Sequence, residues 1–385
     1  MIGEMTPVDE VPTVTLDLTR DVAVLTADLL DIPSVSGTER AIADAVEAAL
    51  RTLPGLVVTR KGDAVVARSE FGLAERVILA GHLDTVPLPA TDGARGTVPS
   101  SWDGEPGQGT LWGRGATDMK GGVAVQLALA GMLFGGQAND DGAARPARDV
   151  TFVFYDHEEV EASKSGLLRL VRTAPELLAA DFAILLEPTG GTVEGGCNGT
   201  LRVEATTLGE AAHSARAWMG KNAIHAAAPI LARLAAYEPA TVRVDGLDYR
   251  ESLNAVRISG GTAGNVIPDR CTVEINYRFA PDKSLDEAEA QVRALLDGFD
   301  VVRTDGAPGA RPGLTHPAAA AFVAVVGQEP KPKYGWTDVA RFSELGVPAV
   351  NFGPGDALLA HKDDERVEPD DVRACFRALR DWLVS

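Results

Sequence analysis

Six histidines occur in the chain, and two of them keep company that could do chemistry. His82 lies in Gly81-His82-Leu83-Asp84-Thr85-Val86-Pro87, directly after the apolar run Arg76 to Gly81. Residues i and i+2 of extended backbone point the same way, so Asp84 can approach the His82 ring and orient it. A second apolar run ends in Asp156-His157-Glu158-Glu159, and a third ends at Glu187. Adjacent carboxylates on extended chain face opposite sides, so one of Glu158 and Glu159 can bind a metal while its neighbour faces a substrate. Asp118 sits in Gly113-Arg114-Gly115-Ala116-Thr117-Asp118-Met119-Lys120-Gly121-Gly122, and His361 follows Gly353-Pro354-Gly355-Asp356. Singly, these are a strand-end histidine, a helix-capping aspartate, a solvated acidic pair and a loop histidine. Together they are two imidazoles and three carboxylates without a thiolate, a donor set that suits Zn²⁺, Co²⁺ or Mn²⁺. That set suffices for two ions if one carboxylate bridges. The chemistry it points to is the binding of such ions at one edge of a sheet.

The elements that must bring these groups together follow from hydrophobic period and turn residues. Leu18 to Leu30, Glu39 to Leu53, Gly121 to Phe134 and Lys164 to Thr173 read as helices, and Arg76 to Gly81, Val150 to Tyr155 and Phe182 to Leu186 as buried strands. Strands alternating with helices predict a mostly parallel sheet flanked by helices, with ligands beyond the carboxyl ends of the strands. Pro87 to Gly113 reads as a long loop and Gly135 to Arg148 as an exposed insertion. After Glu187-Pro188-Thr189 the texture changes. Leu201 to Thr207, Ser252 to Ile258 and Arg270 to Phe279 alternate as strands, Ala223 to Tyr237 and Leu285 to Leu296 are helical, and Ala307 to Gly313 is a Pro/Gly-rich linker. A helix Ala318 to Val326, a strand Ala349 to Phe352 and a terminal helix Asp370 to Leu383 return to α/β character. The expectation is an α/β catalytic domain over residues 1–195 and 310–385, with an inserted α+β domain over 196–309.

Composition removes several functions. The 385 residues are 45% hydrophobic and 24% charged, an ordinary globular balance. A net charge of −19 with no basic run argues against nucleic-acid and anionic-lipid partners. Met1 to Glu10 lacks the basic and apolar regions of a secretory signal. The three cysteines are widely spaced with no Cys-x-x-Cys, which fits a reducing cytoplasm. Neither a P-loop nor Gly-x-Gly-x-x-Gly is present, so nucleotide binding has little support. Two rival readings stay open on residues alone: a metal-free glycosidase using Glu158 with Glu159 or Glu187, and a non-catalytic binding module.

The ordered segments Gly81-His82-Leu83-Asp84, Gly113-Arg114-Gly115-Ala116-Thr117-Asp118-Met119-Lys120-Gly121, Glu158-Glu159, Glu187-Pro188-Thr189 and the late His361 resemble the M20 family of metallopeptidases and deacylases. The resemblance spans residues 81 to 361. It implies one metal held by His82, Asp118 and Glu187, and another by Asp118, Glu159 and His361. Two divalent ions are expected, Zn²⁺ foremost with Co²⁺ as the substitute. Glu158 would be the general base and Asp84 the partner of His82. The middle block would be a lid and dimerisation domain. Its His213, in Ala212-His213-Ser214-Ala215-Arg216, matches a family histidine that reaches the neighbouring subunit's site, so a homodimer is implied. Gly264-Asn265-Val266-Ile267-Pro268, Tyr277-Arg278-Phe279 and Trp336-Thr337-Asp338 resemble substrate-contacting segments, with Asn265, Arg278 and Thr337 holding carboxylate and amide groups. The implied substrate is a small N-acylated diamino acid, and the reaction is amide hydrolysis in the cytoplasm. The sequence departs from the family pattern at His157, at Arg216 and in the Gly135 to Arg148 insertion.

Overall fold

The computed structural model describes residues 14–136 and 145–385. Met1 to Glu10, and residues 137–144 of the expected insertion, lie outside the described residues. The chain forms two compact units. One runs through Val193 and adds Ala320–Gln328 and Asn351–Ser385; the other is Glu194–Ala319 with Glu329–Val350. No helix among the described residues is long and apolar enough to cross a membrane.

In the first unit the helices α1 (Val22–Leu30) and α2 (Arg40–Arg51) precede a hairpin of β1 (Val57–Lys61) and β2 (Ala64–Arg68). Three strands follow, β3 (Arg76–His82), β4 (Asp149–Tyr155) and β5 (Phe182–Leu185), connected through α3 (Gly121–Phe134) and α4 (Gly166–Thr173). The spatial order is β1-β2-β4-β3-β5. β3 runs parallel to both β4 and β5, while β2 pairs antiparallel with β4. The parallel core matches the expectation, and β1–β2 adds an antiparallel edge. The two-residue Gly62-Asp63 turn, with Gly62 at φ +65°, is the local signal for that hairpin.

Each element has a sequence reason. α2 places Ile42, Ala43, Val46, Ala49 and Leu50 on one buried face while Arg40 and Arg51 stay exposed. Burying side chains such as Ile42 and Leu50 contributes about 1.5–3 kcal/mol each. β3, β4 and β5 are buried along nearly their whole length, as parallel strands covered on both faces must be. α3 is apolar all round and packs on β3 and β4 beneath α1 and the C-terminal helix Pro369–Leu383. Its start comes so close to the sheet that a Cβ on Gly122 would meet the Leu186 carbonyl oxygen at 2.4 Å. The Pro87 to Gly113 stretch is not wholly irregular: Ser101–Trp102 and Leu111–Trp112 pair, and Leu111–Trp112 also pairs with Arg366–Val367.

The second unit holds an antiparallel sheet of β6 (Gly199–Leu208), β7 (Ser252–Gly260), β8 (Arg270–Phe279) and β9 (Asp300–Ala307), ordered β7-β8-β6-β9. Leu201, Val203, Ala205, Val273, Ile275 and Tyr277 face a core shared with Ile230 and Val292. Helices Ala228–Ala235 and Leu285–Leu295 supply those last two residues, the latter helix opened by a Ser284/Glu287 capping box. The expected helix Ala223 to Tyr237 is broken at Ala227, and Pro229 opens its second part. β9 is an edge strand with Val301 as its one buried residue, so it lacks the alternation that would have marked residues 300–306, which the sequence pattern left unassigned.

Candidate metal centre

Because β3, β4 and β5 are parallel, their carboxyl ends share one edge. β3 ends in His82, β4 runs into Asp156-His157-Glu158-Glu159, and β5 runs through Leu186 to Glu187. Asp118 comes from Ala116–Lys120, just before α3, across the cis Asp118–Met119 peptide. His361 comes from the loop that follows Ala357–Leu359 and has a left-handed backbone, φ +64°.

Three groups of donor atoms lie within 4.8 Å of one another: His82, Asp118 and Glu187; Asp118, Glu159 and His361; and His82, Glu158 and Glu159. Asp118 belongs to the first two. Its Oδ1 is 3.1 Å from His82 Nε2 and its Oδ2 is 3.3 Å from His361 Nε2, so each oxygen serves one imidazole. His361 Nε2 also lies 3.0 Å from Glu159 Oε1. Asp118 therefore does not cap α3, for which no side-chain cap bond is found.

The electrostatics of this cluster call for positive charge. Burial is the largest influence on His82 and pushes its pKa down. The Asp118 hydrogen bond and the charges of Asp84, Asp118 and Glu187 outweigh it, leaving the ring raised well above the usual imidazole value. Hydrogen bonds to Asp118 and Glu159 hold His361 up at about 10. Burial pushes Asp118 up, but its two histidine partners hold the carboxyl well below the ordinary range. Oxygen and imidazole donors in a carboxylate-rich pocket, one carboxylate facing two histidines, fit a pair of divalent cations. The cysteines take no part: all three are buried elsewhere and unpaired.

The supporting contacts are more specific than the sequence implied. His82 Nδ1 meets the main-chain carbonyl of Asp84 at 3.0 Å, while the Asp84 carboxylate stands 3.6 Å away. A carbonyl only accepts, so Nδ1 carries the proton that meets it, and Nε2 is the nitrogen turned toward Asp118. The Asp84 carboxylate, fully buried, accepts from the Glu158 N–H at 3.0 Å, the Glu159 N–H at 3.1 Å and the Ser36 hydroxyl at 2.7 Å. It orients His82 through its backbone and fixes the acidic pair through its side chain. His157, at φ +57°, binds Asp156 at 2.8 Å through its ring and donates its backbone N–H to the Glu39 carboxylate at 3.2 Å. Sequence reasoning missed Ser36, Glu39 and Glu365 as supports; Ser36 lies 48 residues before Asp84 and carries no local signal of the contact, while for Glu365 the one signal was its place four residues after His361.

The remaining expected residues lie in the second unit. His213 pairs with Val266, and Ser214 donates to the Asn265 carbonyl at 2.9 Å, so His213 and Asn265 are neighbours. The Ala215 N–H donates to His213 Nδ1 at 3.1 Å, which leaves the proton of the neutral ring on the exposed Nε2. Arg278 sits on β8, more than half buried, with its Nε donating to Asn276 at 3.2 Å. Burial pushes its pKa down. Thr337 is buried, and its carbonyl faces the Cys197 thiol.

A parallel α/β sheet with clustered histidines and carboxylates at its carboxyl edge defines a metallohydrolase class of protein. The model of peptidase family M20/M25/M40 matches residues 78–385. The chain belongs to that family of metal-dependent hydrolases. It is 50% identical over 96% of its length to a Mycobacterium tuberculosis protein provisionally named succinyl-diaminopimelate desuccinylase, covering 99% of that protein. It is 44% identical to a Corynebacterium glutamicum succinyl-diaminopimelate desuccinylase, covering 96% of this chain and 97% of that one. Among solved structures, a Staphylococcus aureus tripeptidase aligns with TM-score 0.73 at 19% identity, over 95% of this chain and 98% of that one. An M20 family metallo-carboxypeptidase from Sulfolobus solfataricus aligns with TM-score 0.71 at 17% identity, over 95% of this chain and 99% of that one. These two share its fold.

Proposed function

We propose that this chain removes the succinyl group from N-succinyl-LL-2,6-diaminopimelate, a step of diaminopimelate and lysine biosynthesis. The observation that carries the reading is identity of 50% and 44%, nearly end to end, to proteins bearing that name. His82, Asp118 and Glu187 would hold one divalent ion and Asp118, Glu159 and His361 a second, with Zn²⁺ the preferred metal and Co²⁺ a competent one. Bound there, such ions lower the pKa of water from 15.7 to about 7 and polarise a carbonyl.

The protein groups do the rest. Glu158 takes the proton of the attacking water and returns it to the leaving amine, which contributes about 10²–10⁴-fold. Its backbone is pinned by Asp84, and its carboxylate falls within the donor cluster with His82 and Glu159, which supports that role. Arg278 clamps a substrate carboxylate, with Asn265 and Thr337 holding its other polar groups. His213 donates Nε2–H to the oxyanion of a neighbouring subunit, worth about 10²–10³ in turnover. The homodimer this requires is supported by β7, an edge strand that leaves Val256 and Ile258 exposed at 55% and 48%. In this reading residues 1–195 and 310–385 form the catalytic domain and 196–309 the lid and dimerisation domain. The enzyme is cytoplasmic and works on small molecules.

Comparing kcat/KM for N-succinyl-diaminopimelate with that for N-acetylornithine and an unblocked dipeptide tests the assignment. The succinyl substrate should lead by at least tenfold, about 1.4 kcal/mol of transition-state discrimination. A lead for either rival would make the protein a different deacylase, or a peptidase, using the same centre.

A further inference from the structure

The loop after His361 reads in sequence as a solvated charge run, Lys362-Asp363-Asp364-Glu365-Arg366. Glu365 is nonetheless completely buried. Its Oε2 accepts from the Arg114 guanidinium at 2.8 Å. Its Oε1 accepts from two successive backbone N–H groups, those of Thr117 and Asp118, at 3.1 Å each. Arg114 is buried as well and donates a second bond to the Lys362 carbonyl at 3.1 Å. Backbone bonds from Gly113 to the Glu365 carbonyl and from the Thr117 hydroxyl to the Arg366 carbonyl, at 3.2 and 2.7 Å, join the same two segments.

We propose that Glu365, held by Arg114, is the positioning residue that sets Asp118 against His361 and thereby builds the second metal position. This rests on the di-metal reading above. Asp118 and Met119 depart from helical backbone, with φ/ψ of −121°/92° and −137°/37°, so a side chain rather than a regular helical ladder receives the Asp118 N–H. His361 is half exposed and has little packing of its own. Its place is set four residues later, where Glu365 enters the interior. One carboxylate thus ties together two segments remote in sequence, and Asp118 Oδ2 and His361 Nε2 are left 3.3 Å apart as facing donors. Arg114 occupies the second oxygen and stops the carboxylate from turning away from the two N–H groups. Glu365 touches no reacting atom in this scheme. Its effect passes through the ligands it places, and the loss of such an outer partner lowers metal affinity by about 10–100-fold.

A buried ion pair also supports the fold, and breaking one side of it is destabilising, whereas replacing both partners by apolar residues is often neutral. The test therefore uses Glu365→Gln and the double variant Arg114→Leu/Glu365→Leu. Metal-free wild type and variants are titrated with Co²⁺ alone, read by visible absorption, and their thermal melts are recorded. Wild type takes up two equivalents. Both variants should melt cooperatively and bind one Co²⁺ with little change, while the second binds about 10–100-fold more weakly. Unchanged affinity for the second ion in a folded variant overturns the proposal. So does equal loss of both ions in step with a lowered melt, or failure of both variants to fold, because each makes the pair structural only. Wild type that binds no Co²⁺ defeats the di-metal reading itself, a result visible before any variant is compared.

Discussion

Glu158 and Glu159 are covalent neighbours to which the proposed reaction gives different work. The Asp84 carboxylate receives both of their backbone N–H groups, at 3.0 and 3.1 Å. Glu159 then meets His361 while Glu158 is grouped with His82. Replacing Glu158 with Ala should lower kcat by about 10²–10⁴-fold with metal content unchanged, measured by turnover and elemental analysis of the same sample. Wild-type turnover in that variant would remove the base. Replacing His361 with Ala should leave one metal per chain instead of two, and unchanged stoichiometry would reject His361 as a ligand. At this scale the sequence was informative where function demands an unusual cluster. His82, the Glu158-Glu159 pair and Glu187 stand out because imidazoles and carboxylates recur at strand ends, whereas Asp118, His361 and the choice of Glu159 over Glu158 came from the family resemblance. Glu365 could not be named. A buried glutamate inside an acidic run has no periodicity to mark it, and its partner Arg114 lies far away in the chain.

The elements were legible to the extent that burial imposes a period on them. β3, β4 and β5 announce themselves as apolar runs, and α2 as a two-faced helix. The β1–β2 hairpin escaped because its first strand has no fully buried residue, although β2 is buried. The order β1-β2-β4-β3-β5 is also invisible in sequence, because strand neighbours are chosen by long-range packing. Gly122 shows how closely one element governs another. A methyl group there would strike the Leu186 carbonyl, one residue before Glu187. Gly122→Ala should destabilise the protein by about 1–3 kcal/mol in denaturant unfolding. It should also weaken the ion assigned to His82, Asp118 and Glu187 more than a stability-matched core variant far from β5 does. Wild-type stability would show that α3 can slide away from the sheet.

For the whole molecule, metal and fold are linked, since ions that bind the native centre and not the unfolded chain stabilise it. Free metal at 100 times its dissociation constant contributes about 2.7 kcal/mol. Chelator-treated protein should therefore melt at lower temperature, and Zn²⁺ should restore the transition. A melt indifferent to chelator would sever that link. Dilution to monomer should abolish turnover if His213 serves its neighbour's site, and full activity of a monomer observed by sedimentation would cancel that role. The spacing of the ligands along the chain has a temporal consequence. On the proposed assignment, a nascent polypeptide holds His82, Asp118 and Glu187 once Glu187 has been synthesised, but His361 arrives about 170 residues later. At 5–20 residues per second that delay is roughly 10–30 s. One pocket could capture its cation during translation, whereas its twin must wait until His361 has followed.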